Sequence, residues 1–436
     1  MGLTFAEKVL SEKAGREVRA GEIVTVEPDV VLSHDNSAAI SRTFSEIGVQ
    51  RVRYPERLVI VLDHCVPAAD HKHAANHKLI REFVRRQGIE HFYDISHGVC
   101  HQVLLEQGLA RPGDVCVGSD SHTTSYGAVG AFAVGIGRTE AACTWATGEL
   151  WLRVPETLRI KVGGAWLRRV GSKDLVLHIA GMIGADGADY LSVEWTGEAV
   201  HALSVDSRIT LCNMSAELGA KNGYVPPDEK TERWLADTVG QTARLPLNAA
   251  GEPPALRGGE DYTRWYSDAR AELRETLELS VEGLEPQIAR PHRVDNVVPL
   301  CQEVGTHVHQ CLLGTCTNGR LEDLEAAWEV LEGHQVHPRT RLLVFAASQV
   351  VNLEAVRRGL AEKFIAAGAV WMNPGCGPCL GAHEGALAPG ENCISTANRN
   401  FRGRMGTPDS QIYLASPQSV AAAAVTSEIT DPREVS

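Results

Sequence analysis

LVIVLDH, residues 58–64, carries an unbroken apolar run straight into a carboxylic acid and an imidazole. The run is short enough for a strand, and the same construction recurs twice. DVCVGS (114–119) runs into Asp120, Ser121 and His122, and QCLLG (310–314) runs into Thr315 and Cys316. In open α/β sheets ligands bind beyond the carboxyl ends of the strands, so three strands ending in reactive residues point to one site. Working outward, LRIKV (158–162), LLVFAA (342–347) and QIYLAS (411–416) read as further strands. Helical patterns lie between them, at His73 to Gln87, at Asn352 to Ala367, and after Ser416-Pro417, where a serine cap precedes a proline in the first turn. Alternation of this kind predicts an α/β layer architecture.

The chain has 436 residues, which at ~150 residues per domain suggests two or three domains. Composition shifts near Pro155 and through Leu245 to Gly259, with a domain change between Tyr262 and Val294, predict units at 1–155, 156–286 and 287–436. No internal repeat is readable. The formal net charge is -13 and no run of five Lys or Arg occurs, which disfavours nucleic acid as a partner. An anionic substrate would therefore need local arginine or metal charge. The N-terminus reads as an amphipathic helix with Phe5, Val9 and Leu10 on one face and Glu7, Lys8 and Glu12 outside it. It lacks a signal-peptide pattern, and no apolar run of 18 residues occurs, so the expectation is a cytoplasmic protein without a membrane span.

Eleven cysteines, odd in number and irregular in spacing, do not form a disulfide framework. Cys100, Cys143 and Cys212 lie among small or apolar residues and read as buried thiols. NPGCGPCLG (373–381) is different: Gly and Pro imply a tight loop around Cys376 and Cys379. A C-x-x-C pair can be a redox disulfide, half of a zinc site, or cluster ligation. No thioredoxin-like unit surrounds it, and no second pair stands at zinc spacing. Cys316, in GTCTNGR (314–320), supplies a third thiol from a similar turn. Three thiolates can hold three corners of a cubane and leave the fourth iron open to substrate.

Other patterns have plainer accounts. His71, His73 and His77 read as surface residues of a helix. YGAVGAFAVGIG (126–137) has the wrong spacing for a dinucleotide loop and reads as helix packing. His34-Asp35 reads as a helix cap with a surface histidine. Arg399, Arg402 and Arg404 suit either a solvated basic turn or carboxylate recognition.

DHCVP (63–67), GVCHQ (98–102), GSDSHT (118–123), CNMSAELGAK (212–221), GTCTNGR, NPGCGPCLG and STANRNFRGR (395–404) together resemble the aconitase family, in the family's order and over essentially the whole chain. The resemblance implies a three-domain aconitase-like α/β/α architecture and a 4Fe–4S cluster held by Cys316, Cys376 and Cys379, with its fourth iron open. It implies that Asp63-His64 protonates the departing hydroxyl. His101 with Asp120 resembles a second His–carboxylate pair beside the cluster, and His122 with Glu217 a third, near the iron-bound water. Ser121 and Asn213 match positions close to substrate or cluster. Arg399 and Arg404 match substrate-binding arginines, while the Arg402 position varies, and His34 falls near the mouth of the site.

Full-length members carry a mobile fourth domain with a serine base in a Gly-Ser-Ser-Arg-Glu-type motif, and these 436 residues contain none. The resemblance therefore implies a small subunit that carries the swivel domain and the general base. The implied reaction is isomerisation of a small di- or tricarboxylic hydroxy acid by dehydration and rehydration. The first expectation is 2-isopropylmalate to 3-isopropylmalate, in leucine biosynthesis; the alternative is homoaconitate hydration, in lysine biosynthesis. More remote are an RNA-binding regulator and a zinc-binding structural protein.

Overall fold

A computed structural model describes residues 2–243, 261–381 and 383–435. The expected loop from Leu245 to Gly259 lies outside the described residues. Among them the strands form three larger sheets and one short ribbon, and the larger sheets share one winding pattern. The first is wholly parallel and runs His91–Tyr93, Leu58–Val61, Val30–Ser33, Val115–Gly118, Phe132–Gly135. The second, also parallel, runs Asn222–Tyr224, Ser192–Thr196, Thr157–Gly163, Glu275–Ser280. The third contains Val370–Met372, Arg341–Phe345, Gln310–Gly314, Asn392–Ser395 and Gln411–Leu414 in parallel, extended antiparallel by Gln287–Ala289 and Val297–Pro299.

In each, the chain lays down three strands in one direction and then returns to the far side of the first. That reversal opens a crevice at the carboxyl ends of the first and fourth strands. The crevice of the first sheet lies between Val30–Ser33 and Val115–Gly118; that of the third lies between Gln310–Gly314 and Asn392–Ser395. Asp120-Ser121-His122 follow Val115–Gly118 and Cys316 follows Gln310–Gly314, while Asp63-His64 follow the neighbouring strand Leu58–Val61. The repeat is one of winding, which leaves no periodic sequence signal.

One continuous apolar core, from Val30 and Tyr93 through Trp195 and Met214 to Leu312 and Phe345, joins all three sheets. Two further clusters back the first and third sheets. The N-terminal helix, Phe5–Ala14, buries Phe5, Val9 and Leu10 as its periodicity predicts, and Phe5 stacks on Tyr224 of the second sheet at 3.6 Å. Glu7 is buried too, against expectation, because its carboxylate closes the Thr4 capping box and accepts from the Ala20 N–H at 3.0 Å.

Other expectations need correction. The helix expected from Asn352 to Ala367 is two, Gln349–Arg357 and Leu360–Ala366, broken where Gly359 takes φ 69°. The segment 126–137 is a 3₁₀ stretch followed by strand Phe132–Gly135, rather than packed helix. There a Cβ on Gly127 would collide with the Gly223 carbonyl, so glycine permits close approach of the first and second sheets. Cys143 is exposed on helix Arg138–Thr147, whereas Cys100 and Cys212 are buried. Among the described residues no helix is long and apolar enough to cross a membrane.

Candidate active site

Strand Leu58–Val61 delivers Asp63 and His64 to the first crevice, and the His64 Nδ1 lies 2.6 Å from Asp63 Oδ1. Asp63 is wholly buried, and its other oxygen accepts the Cys100 N–H at 2.7 Å, at the start of the helix that carries His101. Strand Val115–Gly118 delivers Asp120, which lies 3.0 Å from His101 Nε2 and 3.6 Å from His64 Nε2 and accepts the His122 N–H at 2.8 Å. His122 reaches the second sheet's unit, with its Nε2 2.7 Å from Glu217 Oε1. The same carboxylate oxygen accepts from Arg399 Nε at 2.8 Å, and Arg399 Nη2 donates to Ser121 Oγ at 2.9 Å. Residues from all three sheet units thus meet in one network.

The network fixes charge. Burial disfavours protonated His64, but the Asp63 and Asp120 carboxylates outweigh it and hold the imidazole well above its ordinary pKa. Burial likewise opposes ionised Asp120, yet hydrogen bonds from His101, His122 and His64 keep it well below the usual carboxylate range. His122 is raised against burial by Asp120 and Glu217, and Glu217 is lowered against burial by His122 and Arg399.

Cys316 follows strand Gln310–Gly314, with Thr315 before it at φ 66°, a conformation costly for a β-branched residue. Cys376 and Cys379 stand on the loop after Val370–Met372, and the Cys376 N–H donates to the Asp63 carbonyl at 3.0 Å. All three thiols are buried and free. Burial and the neighbouring Cys379 push the Cys316 thiol up to about 11, and burial also raises Cys376.

Side-chain nitrogens approach two of these sulfurs. Asn213 and Asn398 amides approach Cys316 Sγ at 3.5 and 3.3 Å, and Arg404 Nη2 approaches Cys379 Sγ at 3.8 Å. Soft thiols with N–H groups directed at them suit an iron–sulfur cluster. A single zinc fits poorly: among the described residues, only His34, Asp35, Asp63 and His64 gather ligand atoms within 4.8 Å of one another, and the thiols are not in that group.

Sequence reasoning passed over several supports. Asp35 Oδ2 accepts the Asp63 and His64 N–H groups, both at 2.9 Å, and its Oδ1 lies 2.8 Å from His77 Nε2. His77 is therefore a buried brace rather than a surface residue, while His71 is exposed as expected. His34 is buried as well, and the adjacent helix Ser37–Ile47 takes Asn36 as its cap. Tyr126 Oη stands 3.1 Å from His101 Nδ1. Asn398 sits inside STANRNFRGR, where the arginines drew the attention.

A family model described as the aconitase family (aconitate hydratase) matches residues 7–427. The chain belongs to the aconitase family. It is a hydro-lyase of that family, and the family implies an iron–sulfur cluster. It is 50% identical over 434 residues, 99% of each chain, to the 3-isopropylmalate dehydratase large subunit 1 of Methanopyrus kandleri. The probable methanogen homoaconitase large subunit of Methanothermobacter thermautotrophicus is 45% identical, covering 99% of this chain and 98% of its own. The 3-isopropylmalate dehydratase large subunit of Methanoregula boonei is 44% identical over the full length of both.

Proposed function

We propose that this aconitase-family chain is the cluster-bearing large subunit of a cytoplasmic 3-isopropylmalate dehydratase, converting 2-isopropylmalate to 3-isopropylmalate by dehydration and rehydration. The names of the Methanopyrus and Methanoregula relatives support the substrate. The observation that carries the chemistry is the hydrogen bond from the Cys376 N–H to the Asp63 carbonyl, which ties the proton-bearing His64–Asp63 pair to the cysteine loop.

Cys316, Cys376 and Cys379 would hold the 4Fe–4S cluster in this reading. When bound, its open iron supplies a Lewis acid that makes the substrate's hydroxyl a better leaving group. His64 holds the proton that the hydroxyl takes up, and Asp63 orients the ring and favours its charged form. Asp120 orients His101 and His122 and keeps His64 charged. Arg399 and Arg404 receive substrate carboxylates, with Ser121 and Asn213 lining the site. The base that removes the carbon-bound proton comes, in this proposal, from a small subunit carrying the swivel domain. The units 1–155, 156–286 and 287–436 serve as three domains around the common site.

The experiment mixes the chain, reconstituted anaerobically with iron and sulfide, with its small subunit. Isopropylmalate and homoaconitate are offered in parallel. Preferential turnover of isopropylmalate supports the proposal. Preference for homoaconitate would transfer the chain to the reading that the Methanothermobacter relative favours. Turnover of neither, by an associated pair with the cluster intact, would sink both substrates.

A further inference from the structure

Lys173 lies in the first turn of the helix Ser172–Ile183 on the second sheet's unit, yet its side chain reaches the third. The residue is 1% exposed, and its Nζ donates to the Thr396 and Ala397 carbonyls at 2.9 and 2.7 Å and approaches Met214 Sδ at 3.7 Å. Those carbonyls immediately precede Asn398, whose amide reaches Cys316 Sγ at 3.3 Å, and Arg399, which holds Glu217. Among the described residues Lys173 has no carboxylate ion-pair partner within 4 Å. A buried ammonium without a counter-ion is costly, and two neutral carbonyls offset only part of that cost. Burial pushes it down to about 7, and negative charge at Cys316 and Cys379, as thiolates, would act first against that shift.

We propose that Lys173 is a positioning and charge-balancing residue of the thiol site: its ammonium pins the backbone that sets Asn398 against Cys316 and brings a buried positive charge to that side of the site. This rests on the cluster reading above. Reduction of a cluster adds one negative charge. A nearby buried cation favours that step, raising the potential, while the pinned Asn398 N–H stabilises the sulfur it meets.

The test is a dithionite titration, followed by electron paramagnetic resonance, of the full chain loaded anaerobically with iron and sulfide. Wild type is compared with Lys173→Met and Lys173→Gln. Glutamine keeps amide N–H donors for the carbonyls while losing the charge, so it guards against simple misfolding in the methionine variant. The expected result is a lower midpoint potential in both, by about tenfold in the reduction equilibrium, which is about 59 mV for one electron. Loaded variants with the wild-type potential would overturn the inference and leave the cluster reading intact. Failure of both variants to load beside a loaded wild type would make Lys173 purely structural and also overturn it. A wild-type chain that takes up no iron and sulfide would remove the cluster reading and this inference together.

Discussion

His34 lies flat against His64, with ring centroids 3.7 Å apart and planes 16° from parallel. Two imidazoles this close cannot both be charged cheaply. The Asp63 and Asp120 carboxylates award the proton to His64, while burial and the charge on His64 hold His34 down to about 4. His34 is thus a neutral aromatic cover on the proposed proton donor.

Removing that cover has a bounded cost. An aromatic contact of this kind is worth about 0.5–1.5 kcal/mol beyond its area, so His34→Ala should lower kcat/KM about two- to tenfold. Steady-state kinetics with the assembled enzyme checks this; a loss beyond a thousandfold would mean that His34 takes part in the chemistry itself.

His34 also sets an acid limit on stability. Its pKa is lower folded than unfolded, so the unfolded chain binds the extra proton, and stability falls as pH drops from about 6.5 toward 4. Lowered Asp120 and Glu217 act in the same direction. Melting temperature against pH should decline on the acid side, less steeply in His34→Ala than in wild type.

His64 acts oppositely. Its raised pKa means that the folded chain holds the proton more tightly, so its contribution is full below about 6.5 and is lost as pH rises through the folded value. Activity that needs protonated His64 should persist through neutral pH and fall on the alkaline side. Asp63→Asn removes the largest favourable charge and should move that alkaline limb to lower pH; an unmoved limb would assign it to another group.

Glu217 joins His122 to Arg399, so truncation strands a buried imidazole on one side and a half-buried guanidinium on the other. Glu217→Ala should destabilise the chain by about 3–5 kcal/mol, and Glu217→Gln by less because the amide keeps hydrogen-bonding atoms in place. Denaturant melts of the two variants measure the difference.

The reactive half of the site was legible where chemistry abuts a strand. Asp63-His64, Asp120-Ser121-His122 and Cys316 each follow an apolar run, and the strand order places them at crevices. Partner choice was not locally readable: His101 and Asp120 are 19 positions apart, and His122 and Glu217 are 95. Those pairings came from the resemblance. His77 looked like a surface histidine because its helix is polar, and only the fold reveals that it faces Asp35. Lys173 carries no motif at all, since its partners are backbone carbonyls 223 and 224 positions away. Cys143 failed the other way, its small neighbours suggesting burial on a helix face that is exposed.

The most direct test of the central claim is the iron and acid-labile sulfide content of the anaerobically reconstituted chain, beside Cys376→Ser and the exposed-thiol control Cys143→Ser. A 4Fe–4S stoichiometry in wild type and in Cys143→Ser, lost or sharply reduced in Cys376→Ser, is the predicted result. Zinc without sulfide, or a cluster indifferent to Cys376, would contradict it.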